Sequence, residues 1–130
     1  MSGAPHPVSV TPAVLVVDPD QQFGLLLKGY LERQGWATEW VEDGRQALSR
    51  CLKDPPRLVV AELQGGALDG FELLDELRRL APDLPVVVCT RGAGVQSWSD
   101  EIFRELGVRA VLVRPVRFYR VGEVVGRLLA

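Results

Sequence analysis

The sequence predicts an α/β domain, a parallel five-stranded sheet with helices on both faces. Three observations carry this. Five short, continuous apolar runs are spaced along the chain. Such runs suit strands buried on both sides. Between them lie segments whose apolar residues recur at helical spacing. Glycine, proline and aspartate punctuate the junctions, with no internal repeat or linker. Strand–helix alternation of this kind closes most simply as a parallel sheet covered on both sides.

The elements follow in order. Ala13 to Val17 reads as the first strand, ended by Asp18-Pro19-Asp20. Phe23, Leu26, Leu27, Tyr30 and Leu31 mark the first helix, closed by Gly35. Ala37 to Val41 is the second strand, and Asp43-Gly44 is turn chemistry. Ala47, Leu48, Cys51 and Leu52 mark a helix that Pro55-Pro56 stops. Leu58 to Ala61 is the third strand and ends on Glu62. A glycine-rich loop, in which Asp69 reads as turn chemistry, leads to a helix with Phe71, Leu74, Leu77 and Leu80 on one face. Val86 to Cys89 is the fourth strand, ending on Thr90. Trp98, Ile102, Phe103 and Leu106 mark the fourth helix, and Ala110 to Val113 the fifth strand, ending on Arg114-Pro115. Val121, Val124, Val125, Leu128 and Leu129 form the last amphipathic helix.

Bulk properties fit one domain. The chain has 130 residues, 47% hydrophobic and 25% charged, with a formal net charge of -2. No Lys/Arg run or long apolar stretch stands out, so the expectation is no nucleic-acid or membrane partner. Residues 1–12 hold three prolines and read as a disordered leader, with the domain at 13–130. His6, the sole histidine, lies in that leader and is not expected to act as a ligand. Cys51 and Cys89 lie in apolar contexts without metal-like spacing, which suits buried free thiols and a cytoplasmic location.

In open parallel sheets, ligands sit beyond the carboxyl ends of the strands. That rule brings Asp18, Glu62, Thr90 and Arg114 to one rim. These positions also carry a family resemblance. "VLVVDPD", "PPRLVVAELQGGALDG", "LPVVVCT" and "GVRAVLVRP" resemble, in order, landmarks of response-regulator receiver (CheY-like) domains, over about Val14 to Leu129. The resemblance implies a flavodoxin-like doubly wound sheet of order 2-1-3-4-5 with five helices. In a working member, acidic residues hold Mg²⁺ and an aspartate takes phosphate from a histidine kinase. A lysine and a hydroxyl then grip the phosphoryl group. The face of helix four, strand five and helix five rearranges to recruit partners.

The chain departs from that pattern at five positions. Glu62 stands at the phosphoacceptor aspartate, one methylene longer, and in-line transfer loses on the order of 10²-fold per ångström of misplacement. Pro19 replaces the second acid after strand one. Asp18 and Asp20 are left as a degenerate acidic pocket; Asp18 and Glu62 alone make a weak Mg²⁺ site, in which Asp20 substitutes only if the loop shifts. Arg114 replaces the lysine, Arg91 follows Thr90 where a small residue is usual, and Val111 replaces the aromatic switch residue. Together these imply a pseudo-receiver that works by protein–protein contact in a bacterial signalling pathway, with no catalytic residue, resident cofactor or metal. It is expected to be a monomer or weak homodimer. Two other classes compete. A phosphorelay member would still be labelled by acetyl phosphate with Mg²⁺, and a nucleotide sensor lacks any glycine-rich phosphate loop.

Three residue-level expectations follow. Glu62 and Arg114 form a fixed ion pair, with Glu62 acting either as a phosphoaspartate mimic or as a passive half-buried acid. Thr90 keeps a switch role or is a locally satisfied hydroxyl. Trp98, Val111, Arg117, Phe118 and Tyr119 form a partner face, or Trp98 and the Arg117–Arg120 segment simply cover the core.

Overall fold

The computed structural model describes residues 12–92 and 98–130. Apart from Pro12, the expected leader lies outside the described residues. The elements are β1 (Val14–Val17), α1 (Gln21–Arg33), β2 (Thr38–Val41), α2 (Gly44–Lys53), β3 (Leu58–Ala61), α3 (Gly70–Leu80), β4 (Val86–Thr90), α4 (Asp100–Glu105), β5 (Val108–Val113) and α5 (Phe118–Leu129). The strands form one sheet of order β2-β1-β3-β4-β5. All pairings are parallel, Val14 standing opposite Thr38 on one side and Leu58 on the other.

Period-two alternation sorts each strand's side chains between two cores. Leu15, Val17, Val59, Ala61, Val86 and Val88 meet Ala47, Cys51, Leu73, Leu74, Leu77, Phe103 and Leu106 of α2 to α4 and the turn that closes α4. Val14, Val16, Leu58, Val60, Val87 and Cys89 meet Leu27 and Leu31 of α1 and Val121, Val124, Val125 and Leu129 of α5. The central strands are therefore buried on both faces, which is why they read as unbroken apolar runs. The edge strand β5 instead alternates, with Val111 and Val113 turned outward.

Helix boundaries follow from side-chain caps, which accept the unpaired N–H groups of the first turn. Asp20 caps α1, Asp69 caps α3 and Ser99 caps α4. Asp43 builds a capping box with Gln46 at α2, so Asp43-Gly44 is a helix start rather than a free turn. Gly35 follows α1 at φ 97°, a left-handed conformation suited to a residue without Cβ.

Several helix faces differ from the periodic reading. The buried face of α3 is Gly70, Leu73, Leu74 and Leu77, while Phe71 and Leu80 are exposed. Leu26 and Leu52 also face outward. In each case the apolar stripe is narrower than the sequence offers, because the sheet covers only part of each helix. Trp98 precedes α4 rather than starting it. β2 begins one residue later than expected, and β5 two residues earlier.

Candidate functional site

Parallel pairing puts the carboxyl ends of β1, β3, β4 and β5 on one rim. Main-chain bonds fix the level of each end. Asp18 N–H donates to Val41 O at 3.1 Å, Glu62 N–H to Val17 O at 2.9 Å, and Arg114 N–H to Thr90 O at 2.7 Å. Asp18, Glu62, Thr90 and Arg114 therefore converge as the sequence predicts. Asp18, Glu62 and Thr90 are buried, and the Arg114 side chain is 9% exposed.

Glu62 is the hub. Its Oε1 accepts from Thr90 Oγ1 at 2.6 Å and from Gln64 N–H at 3.0 Å. Its Oε2 accepts from Arg91 N–H at 3.1 Å and from Arg114 Nη1 at 3.2 Å. The Arg91 side chain adds a longer ion pair, Nε to Oε2 at 3.7 Å. Thr90 is thus a satisfied hydroxyl bound directly to Glu62. The expected Glu62–Arg114 pair is present, and it has a third member. Arg114 Nη1 also donates to Asp18 Oδ2 at 2.9 Å. One guanidinium thus holds two buried carboxylates, and Asp20 stands 3.9 Å from its Nη2.

The stack continues away from the carboxylates. The Arg114 guanidinium carbon lies 3.5 Å from the Phe23 ring centroid, a cation–π contact. Phe23 in turn meets Phe118 edge to face at 5.5 Å. Trp40 anchors the other side. Its Nε1 donates to Asp18 O at 2.9 Å, and its indole lies where a Cβ on Gly24 would have to go. Gly70 is needed for a similar reason, since a Cβ there would lie 2.7 Å from Leu63 Cβ and 2.8 Å from Leu63 O, beside Glu62. Phe23, Trp40 and the backbone N–H groups of Gln64 and Arg91 were not legible as site residues. Backbone donors carry no side-chain signature, and the two rings resemble ordinary core cover in a one-dimensional pattern.

Of the proposed partner face, Val111 is 38% and Tyr119 54% exposed, and Arg117 is exposed as well. Phe118 turns inward onto Phe23 and Tyr30. Trp98 is half-buried against Phe71 and Phe103, at 5.9 and 5.3 Å. Both are held by neighbouring rings, so they fit the core-cover alternative better than the exposed-anchor one.

Burial raises the Asp18 carboxyl above its ordinary value of 3.8, with the negative charges of Glu62 and Asp20 acting in the same sense. The Asp20 N–H and Arg114 oppose this. The folded state therefore binds more protons than the unfolded chain in the window just above 3.8. Stability from this group is full below that value and is lost as pH rises through the folded-state value. Asp18→Asn is expected to flatten the melting temperature against pH in that window. An unchanged slope would mean that another group carries it. Burial likewise pushes the Cys89 thiol up to about 12 and raises the Cys51 thiol, and both cysteines are buried and free.

An open parallel sheet with two acids, a hydroxyl and a cation at its carboxyl rim belongs to the class of doubly wound signalling and nucleotide-binding folds. Comparison with known proteins narrows this. The family model for the response regulator receiver domain matches residues 14–125, and the chain belongs to that family. It is therefore a receiver domain of two-component signal transduction. It is 35% identical over 95 residues to the response regulator MprA of Mycolicibacterium vanbaalenii, covering 68% of this chain and 41% of MprA. It is 30% identical over 118 residues to the transcriptional regulatory protein BaeR of Escherichia coli, covering 91% of this chain and 47% of BaeR. The chain thus spans less than half the length of these relatives. The receiver domain of NtrX from Brucella abortus superposes with a TM-score of 0.78 at 33% identity, covering 89% of this chain and 97% of that one. The non-phosphorylated HemR receiver domain of Leptospira biflexa gives 0.80 at 26% identity, covering 92% and 94%.

Proposed function

We propose that this chain is a pseudo-receiver: it signals through protein–protein contact and takes no phosphoryl group. The observation that carries the reading is the saturation of Glu62, whose two oxygens together accept four hydrogen bonds. A nucleophilic carboxylate needs a free lone pair aimed at the incoming phosphorus, and Glu62 has its lone pairs committed to donors.

The Mg²⁺ that the family implies does not fit these residues. Pro19 offers no side-chain oxygen. Asp18 Oδ1 accepts from Asp20 N–H, and Oδ2 holds Arg114. A guanidinium within 3.2 Å of both carboxylates already supplies the positive charge that a metal would bring. Asp20 Oδ1 caps α1 by accepting from Phe23 N–H, so that oxygen is not a spare ligand. Among the described residues, no three His, Cys, Asp or Glu side chains are grouped to hold a metal ion.

The exposed Val111, Arg117 and Tyr119 on β5 and at the start of α5 support contact with a protein partner of a bacterial pathway. Among the described residues no helix is long and apolar enough to cross a membrane. Incubation with Mg²⁺ and acetyl phosphate, followed by intact-mass measurement, tests the reading. The expected result is no phosphoryl mass shift. A clear shift would establish the phosphorelay alternative.

A further inference from the structure

We propose that a cavity at the amino-terminal end of the sheet, the end away from Glu62, binds a small apolar molecule carrying one carboxylate. Its wall is built by the turn after α2 (residues 55–57), the turn after α3 (residues 81–85), the start of β5 and the last turn of α5. These enclose about 680 Å³, within the roughly 300–1,000 Å³ of small-molecule sites.

Pro55, Pro56, Pro82 and Pro85 line the cavity. Their rings fix the backbone, so the two turns are preformed. Proline has no N–H, so these turns offer a ligand apolar rings and carbonyl acceptors but few donors. Leu80, 40% exposed in the last turn of α3, and the half-buried Leu128 extend the apolar wall. The side-chain cations are Arg57 and Arg109. Arg57 Nη2 donates to Leu129 O at 3.0 Å, which pins the guanidinium while using one of its five N–H groups. Arg109 is exposed and has no acidic partner among the described residues. Asp83 is the one acid among the described residues of the wall.

The helices run back against the parallel strands, so their C-terminal ends gather at this same end. Each helix end carries about half a negative charge, which by itself would repel an anion. Every helix offsets it with a base in its last turn: Arg33, Lys53, Arg78, Arg104 and Arg127. Arg57 and Arg109 are additional to these, and two guanidiniums against one carboxylate leave the wall positive. A ligand carboxylate balances that charge through charge-assisted hydrogen bonds, while its apolar body covers the proline and leucine surface. Arg109 belongs to β5, and Leu128 and Leu129 to α5, the elements that also carry the exposed Val111 and Tyr119. Occupancy therefore reaches the proposed partner surface from the end away from the rim.

The test titrates the isotope-labelled full chain with naphthoate and, separately, with decanoate, followed by amide NMR. At least one acid should move the Arg57, Asp83, Leu84 and Arg109 resonances saturably, with a dissociation constant of about 1 mM or tighter. The Glu62 and Thr90 resonances should stay in place. The matching neutral amide should bind about tenfold more weakly, and so should the acid to Arg109→Ala, since each loses a charge-assisted bond. Leu80→Glu, which sets a second acid at the wall, should weaken the acid as well. Leu80 and Arg109 are both exposed, so neither change threatens the fold. No saturable movement with either acid would overturn the proposal. So would equal affinity for acid and amide, full affinity in Arg109→Ala, or movement centred on Glu62 and Thr90. Labelling by acetyl phosphate bears only on the rim and leaves this site standing.

Discussion

Arg114→Ala is expected to destabilise the domain by about 3–5 kcal/mol, the range for removing one partner from a buried ion pair. Arg114 is the cation that touches both Asp18 and Glu62. Removing it leaves two buried like charges facing each other. The remaining donors on Glu62 are two backbone N–H groups, the Thr90 hydroxyl and the half-exposed Arg91 side chain at 3.7 Å. The contact with Phe23 is lost as well. Since small domains are stable by roughly 5–15 kcal/mol, this one change consumes much of the total. Urea unfolding would measure it. Adding Glu62→Gln to Arg114→Ala removes the repulsion and should recover part of the loss, a coupling that a double-mutant cycle isolates. A loss under about 1 kcal/mol in Arg114→Ala would place the triad among weak surface pairs and refute its role.

The second large effect is a gain. The combined variant Pro19→Asp, Glu62→Asp, Arg114→Lys is expected to take a phosphoryl group from acetyl phosphate in the presence of Mg²⁺. Shortening residue 62 withdraws its carboxylate from the hole formed with Thr90, Gln64 and Arg91, which frees that hole for a phosphoryl group. Lysine keeps a cation but gives up the fork that now spans two carboxylates. An aspartate at position 19 supplies the missing oxygen ligand. The gain in labelling over the unaltered chain should be on the order of 10²-fold or more, given the positional sensitivity of in-line transfer. A folded triple variant that remains unlabelled would show that Arg91, whose exposed side chain lies at the mouth of the same hole, also blocks the acceptor.

Much of this was legible from one dimension. The five apolar runs, the helical spacing between them and the punctuating glycines and prolines determined a parallel α/β sheet, because burial on both faces leaves a pattern that residue order alone records. The carboxyl-end rule then named Asp18, Glu62, Thr90 and Arg114, since each lies at or just beyond a strand end. The Glu62–Arg114 pair followed from charge and reach. The edge strand was less legible. β5 alternates buried and exposed residues, and its first residues, Val108 and Arg109, read as loop.

Tertiary structure alone decided three matters. It made the pair a triad, because Asp18 and Arg114 are 96 residues apart and only the register of β1, β3, β4 and β5 sets their oxygen and nitrogen 2.9 Å from each other. It recruited the Gln64 and Arg91 N–H groups, which every residue except proline possesses and which become a site only when two loops face one carboxylate. It also turned Phe118 and Trp98 from candidate partner anchors into ring neighbours of Phe23 and Phe103. Residue order records which groups the chain owns and which faces must be buried. Which donors meet at one point, and which rings find each other, depends on how separately encoded elements pack, and no local pattern carries that.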